Sequence, residues 1–510
     1  MLTRVYGSAV QGIGATTVTV EVNVLQGIKF FLVGLPDNAV KESQQRIESA
    51  LLESGFRMPG KKIVVNMAPA DIRKEGSAYD LPIALGILSA SGQMSSEKLD
   101  SFVIMGELSL DGSILPVRGC LPMAVQARLE GFKGMIVPLQ NAGEAALVNG
   151  LEIYPAATIL DVVNFLNGTN EMTSYSASEL LQLPENSLLD ADFSDVRGQS
   201  AMKRALEIAA AGGHNLLLIG PPGAGKTMLA KRIPGILPPL SSDEALETTK
   251  IHSVAGKLGS KNAIMRHRPF RNPHHTISET ALFGGGSNPQ PGELSLAHNG
   301  VLFLDELPEF KRTALEVMRQ PLEERRVTIS RARFTVEYPA SFMLVASMNP
   351  CPCGYYNHPE RDCVCPPGHV HKYLNRISGP LLDRIDIHVE VTPVCFDDLN
   401  AKRNEENSAI VRDRVVKARL IQVERYRNNG VHCNAQISAR MIRQYCILNT
   451  SGEQLLRTAM QRLSLSARAY DRILKVARTI ADLENSKKIE MPHLAEAIQL
   501  RSLDRENWAG

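Results

Sequence analysis

The chain has 510 residues, of which 44% are hydrophobic and 22% charged, values typical of globular domains, so wholesale disorder and fibrous repeats are excluded. At about 100–200 residues per domain, this length provides for three or so domains with proper cores. Lys plus Arg is 56 and Asp plus Glu is 54, a net charge of +2, so any grip on nucleic acid must come from local patches. No apolar run approaches the ~18 residues of a membrane span. The start, Met1-Leu2-Thr3-Arg4-Val5-Tyr6, lacks a secretory pattern, and a soluble cytoplasmic protein without a membrane partner is expected. Eight cysteines in so long a chain do not make a disulfide framework.

Residues 1–168 alternate short strand and helix patterns. Val18, Val20, Val22 and Val24 alternate with polar residues, the period of a half-buried strand. Further strands are predicted at Phe30–Val33, Lys62–Asn66, Val103–Ser109 and Met135–Val137. Residues 169–192 lose all periodicity and read as a linker. A second α/β region spans 193–395. Strand signals then stop, and 396–510 is predicted to be all-helical, with helices at Ser408–Arg427, Ala439–Leu448, Glu453–Leu463, Ala467–Leu483 and Pro492–Leu500.

The chemistry begins after the apolar run Leu216–Ile219. Gly220-Pro221-Pro222-Gly223-Ala224-Gly225-Lys226-Thr227 follows it, and a helical pattern comes next, which is the context that defines a phosphate-binding loop. Its glycines let backbone N–H groups curl around phosphate. Lys226 is expected to reach the β- and γ-phosphates of ATP and Thr227 to hold Mg²⁺. Val301-Leu302-Phe303-Leu304 then ends in Asp305 and Glu306, one carboxylate for Mg²⁺ and one to polarise the attacking water. Val345–Met348 ends in Asn349, suited to orient that water, and Arg384 stands at the edge of the core domain.

With these parts in place the chain resembles the AAA+ ATPases, and within them the branch of magnesium-chelatase ATPase subunits and MCM helicases. The resemblance implies that Asn349 is sensor 1, that Arg384 is an arginine finger acting on a neighbour's ATP, and that Arg468 is sensor 2 in a helical lid. A finger acting in trans implies a ring, most often six subunits in this superfamily.

Two basic segments bear on what such a motor acts on. Arg266-His267-Arg268-Pro269-Phe270-Arg271-Asn272-Pro273-His274-His275 lies in a long stretch between the phosphate-loop helix and Val301, and reads either as a grip on phosphate or a stacked base, or as a solvated basic face or intersubunit contact. Arg325–Val336 reads as a β-hairpin with Arg331 and Arg333 near its turn. A ring would repeat those arginines around a pore, which favours DNA. Cys351, Cys353, Cys363 and Cys365 form two Cys-x-Cys pairs that either hold a structural Zn²⁺ or remain reduced thiols.

In the first domain, Gly106–Val117 resembles the hairpin of the Lon protease domain. Proteolysis there needs a Ser–Lys dyad. The matching positions carry Ala78 and Leu121, so no protease is expected unless Ser77 finds another base. The whole arrangement resembles the ComM/YifB group of magnesium-chelatase-like ATPases. That resemblance implies an ATP-driven homohexameric DNA helicase or branch-migration motor, acting on single-stranded and branched DNA during natural transformation. The rival reading is an ATPase that remodels a protein, as in chelatase-type metal insertion.

Overall fold

The computed structural model describes residues 2–176, 191–258, 264–286, 289–331, 334–358, 360–392, 405–427, 429–463 and 465–501. Strands are numbered β1 Leu2–Gln11, β2 Gly14–Leu25, β3 Phe30–Val33, β4 Lys62–Ala68, β5 Phe102–Ile104, β6 Glu107–Leu108, β7 Ile114–Leu115, β8 Gly134–Pro138 and β9 Glu152–Ala156 in the first domain. Seven of them form one mixed sheet in the order β3-β4-β2-β1-β5-β8-β9. The alternation in β2 survives as predicted, with Val18, Val20 and Val22 buried and Thr19, Glu21 and Asn23 partly exposed. Its long antiparallel pairing with β1 runs from Leu2↔Asn23 to Gln11↔Gly14.

The sequence pattern had placed one strand over Val103–Ser109. Instead β5 stops at Ile104, and β6 pairs with β7 in a separate small hairpin. Two further strands, β1 and β9, had no counterpart in the pattern. In β1 the buried positions include Thr3 and Ser8, so its period is not carried by apolar residues. In β9, Pro155 masks an edge strand, the one place in a sheet where proline is tolerated.

The second domain adds β10 Leu216–Ile219, β11 Phe270–Arg271, β12 Gly284–Gly285, β13 Gln290–Pro291, β14 Val301–Leu304, β15 Arg326–Arg331, β16 Phe334–Pro339, β17 Met343–Met348 and β18 Ile387–Glu390. Its central sheet is parallel throughout, in the order β11-β14-β17-β10-β18. Every residue of β10, β14 and β17 is buried, as continuous apolar runs require when both faces are covered. Leu216 and Leu218 face the helix Ser200–Gly212 and the helical tail, while Leu217 and Ile219 face the layer that includes Leu282, Leu294 and the base of the β15–β16 hairpin. Because β10 lies between β17 and β18, the loop at its C-terminal end opens into the crevice where such sheets bind ligands.

The basic run Arg266–Arg271 is not a surface appendage. Phe270 and Arg271 form β11, the edge strand of this sheet, and the Phe270 ring stacks on Phe303 of β14 at 6.0 Å. The tail is helical as expected, over Ser408–Tyr426, Ala439–Tyr445, Thr450–Arg462, Ala467–Leu483 and Met491–Gln499, with Pro492 in the first turn of the last. Side chains of Asn407, Asn449 and Ser466 accept the N-cap hydrogen bonds that fix three of these starts.

Among the described residues, two contacts between the α/β domains stand out. The N–H of Gly119, which opens the helix Cys120–Leu129, donates to the carbonyl of Ser253 in the helix Ser242–Val254 at 3.1 Å. At the other contact, the β1–β2 turn places Gly12 against Val336 and packs Ile13 into the layer beneath the β15–β16 hairpin.

Candidate active site

Gly223 and Gly225 adopt φ of 79° and 83°, the left-handed conformation that lets the loop curl its N–H groups inward. The helix Lys226–Ala230 begins immediately after. Lys226 is buried, and its ammonium donates to the carbonyls of Gly220 (2.6 Å) and Pro221 (2.9 Å) and to Asn349 Oδ1 (3.2 Å). Burial pulls its pKa down to about 8, partly offset by the carboxylates of Asp305 and Glu306. The expected sensor and the phosphate-loop lysine are therefore in direct contact, because β17 and β10 are neighbours and end together.

The Thr227 hydroxyl donates to Asp305 Oδ2 at 2.8 Å, and the other Asp305 oxygen accepts a short hydrogen bond from Ser347. A hydroxyl and a carboxylate converging at the phosphate loop fit the oxygen ligands that Mg²⁺ prefers. When bound, that ion would neutralise charge developing on the phosphates. Glu306 follows in the left-handed conformation (φ 54°, ψ 50°), unusual for a residue with a side chain and a form of strain that gathers at functional sites. Its carboxylate is exposed and meets His275 Nδ1 at 3.4 Å.

Three neighbours were not assigned to this site from the sequence. Ser347 had a usable signal, since it stands two residues before Asn349 on the same strand and so shares its side. Tyr373 had none, and His275 only its place in the basic run. His275 arrives at Glu306 from a distant loop, and Tyr373 at the Asn349 N–H from the helix His369–Leu374.

The two remaining expected residues lie elsewhere. Arg384 is only 7% exposed, and its guanidinium pairs with Glu323 at 2.7 Å and donates to the Pro380 carbonyl at 2.6 Å. Arg468 faces Asp383 at 3.8 Å and is mostly exposed. Both line one cleft of about 120 Å³ with Glu323, Arg472 and Lys475. The carbonyl of Arg384 accepts from Asn215, at the start of β10. The phosphate loop leaves the other end of that strand, five residue steps or roughly 16 Å away. Arg472, in turn, pairs at 2.9 Å with Asp386, which is fully buried. Burial alone would raise the Asp386 pKa, but Arg472, His214 and Lys475 hold it far below the usual carboxylate range.

Among the basic residues, Arg268 is bound by Glu244 (2.9 Å) and by the carbonyls of Pro238 and Asn299, and Arg271 by Glu293 at 2.5 and 2.7 Å. In this conformation they brace the edge of the sheet. Arg266 is half-buried. The β15–β16 hairpin forms as predicted, but Arg333 and the side chain of Arg331 lie outside the described residues. Cys351, Cys353, Cys363 and Cys365 do come together, with their sulfurs within 4.8 Å of one another. In the first domain Leu121 is fully buried in the helix Cys120–Leu129, and Ser77 opens a single 3₁₀ turn. The nearby Lys74 is buried and donates to the Pro69 carbonyl, and burial lowers its pKa.

Comparison with known proteins gives these parts a family. "Magnesium chelatase, subunit ChlI" matches residues 192–399, "Subunit ChlI of Mg-chelatase" residues 20–141, and "Magnesium chelatase, subunit ChlI C-terminal" residues 405–501. The class is thus a magnesium-chelatase-like AAA+ protein, whose core implies ATP hydrolysis with ATP and Mg²⁺. The chain is 46% identical to the competence protein ComM of Haemophilus influenzae, over 99% of this chain and 98% of that one. It is 45% identical to the uncharacterized protein YifB of Escherichia coli, with the same coverage. Lon protease 2 of Bacillus subtilis is 30% identical over 163 residues, covering 28% of this chain and 27% of that one. The chain belongs to the ComM/YifB family. Among the described residues, no helix is long and apolar enough to cross a membrane.

Proposed function

We propose that this chain is the subunit of a homohexameric, ATP-driven DNA motor, a helicase or branch-migration enzyme that promotes integration of incoming DNA during natural transformation. ATP sits on Gly220–Thr227, Mg²⁺ is held through Thr227 and Asp305, and Glu306 activates water that Asn349 helps to orient. Four cysteines hold a structural zinc. The observation that carries the ring is the placement of Arg384 and Arg468 at the opposite end of β10 from the phosphate loop. On this reading Arg384, once released from Glu323, serves a neighbour's ATP and not that of its own chain, and Arg468 beside it lines the same interface. The DNA assignment is supported by the relative named a competence protein and by the basic β15–β16 hairpin.

Mixing two inactive variants tests the ring. Lys226→Ala removes the phosphate contact and Arg384→Ala the finger. A loss of about 10³-fold or more is expected for Arg384→Ala alone. Mixed rings contain interfaces with both residues intact, so they regain part of the ATPase rate. Two variants that stay silent when mixed would place Arg384 in its own chain's site. Single-stranded, duplex and four-way-junction DNA are then compared as activators of the wild-type rate. The rival, a protein-remodelling ATPase of chelatase type, is favoured by the three chelatase-subunit matches, and a rate indifferent to every DNA would select it.

A further inference from the structure

The chain leaves β17 at Asn349, beside Lys226, and enters the cysteine loop two residues later. Cys351 is fully buried there, and its sulfur lies 3.2 Å from that of Cys353 and 3.7 Å from that of Cys363; Cys353 and Cys363 are 3.6 Å apart. These separations far exceed the ~2.05 Å of a disulfide. They approach the edge of about 3.8 Å of a tetrahedron built on Zn–S bonds of about 2.3 Å. Backbone N–H groups of Tyr355 and Val364 donate to Cys353, and that of Tyr356 to Cys351. Such outer hydrogen bonds steady the ligands around a bound cation.

The same turn carries a second contact. Gly354 (φ 86°) bonds back to the Cys351 carbonyl at 3.0 Å and lies so close to the phosphate loop that a Cβ would fall 2.6 Å from Pro222 Cδ. The cysteine loop is therefore pinned at Asn349 on one side of the loop and pressed on Pro222 on the other. We infer that the four-cysteine knot, closed by a zinc-type cation, clamps the phosphate loop in its nucleotide-ready shape, so that ATP affinity depends on the metal. This rests on the reading of Gly220–Thr227 as the ATP site. Without the cation the loop would be tied only by hydrogen bonds, and the cost of ordering Pro222 and Asn349 would fall on nucleotide binding.

The full chain is analysed for metal by elemental mass spectrometry and titrated with a fluorescent non-hydrolysable ATP analogue, with Lys226→Ala as the control. One zinc per chain is expected. Cys353→Ser with Cys363→Ser should lose it, and Kd for the analogue should rise about tenfold, the scale of a lost preorganisation. Gly354→Ala should keep the zinc, since all four thiols remain, and still weaken binding, because its Cβ collides with Pro222 and strains a φ of 86°. That variant decides the matter if the cysteine variant does not fold. Zinc lost with Kd unchanged, or Gly354→Ala binding like wild type, overturns the clamp. A metal-free wild type that binds the analogue overturns the knot and leaves the ATP site standing. A wild type indistinguishable from Lys226→Ala overturns the ATP site and the clamp with it.

Discussion

The chain carries two layered α/β domains, and they differ in what stands where chemistry would be. In the second domain, the loop after β10 and the neighbouring strand ends pair a buried lysine with an amide and a hydroxyl with a carboxylate, and a second carboxylate, which meets His275, follows in the chain. One of those carboxylates sits on a left-handed backbone. In the first domain, the positions that match a protease dyad are Ala78 and the fully buried Leu121. Its helix Asp80–Ala90 is buried along its entire length, and Asp80 is clamped by Arg46 at 2.7 and 3.0 Å. Polar groups there are spent on packing. The contrast teaches that a shared layer architecture says little about activity, which resides in side chains gathered at strand ends.

The sharpest way to test that contrast is Glu306→Gln, which keeps the shape and removes the base. Steady-state ATP hydrolysis should fall by about 10²–10⁴-fold while the ATP analogue still binds. A variant that turns over at the wild-type rate would place the water-activating group elsewhere. A smaller effect comes from Lys226, whose pKa is pulled down to about 8 by burial. A lowered pKa means that the free protein loses the ammonium as pH rises through that value, and bound phosphate restores it. Affinity for the analogue should therefore fall above about pH 8, by at most tenfold per pH unit. Lys226→Arg, which stays charged, should flatten the profile. The smallest effect is expected in the first domain. Ser77→Ala should change neither ATP hydrolysis nor casein digestion, and a loss of casein digestion would restore the protease reading.

Much of the site was legible because its parts are local. The apolar run, the glycines and Lys226-Thr227 occur within a dozen residues, and the acids at 305 and 306 end an equally plain strand. The tail helices fall within a few residues of their predicted bounds because their caps and periodicity are also local. Strand order is not local. Nothing in the sequence tells that β10 lies between β17 and β18, so nothing there placed Arg384 and Arg468 at the far end of the sheet. For the same reason Phe270–Arg271 looked like part of an inserted basic segment when it is an edge strand. The cysteine cluster was visible as spacing, but its contact with Pro222 depends on where two distant loops come to rest.

These contacts between the α/β domains bear on how the protein can be dissected. Ile13 shares an apolar layer with the base of the β15–β16 hairpin, and Gly119 holds the end of the helix Ser242–Val254. A core expressed without residues 1–168 would expose Val336 further and take from the Ser253 carbonyl one of its two backbone donors, leaving Gly256. Loss of DNA binding by such a truncation would not separate a missing DNA contact from a hairpin that has lost its footing. Point changes within the intact chain keep that footing, and they are the form in which the two domains can be compared.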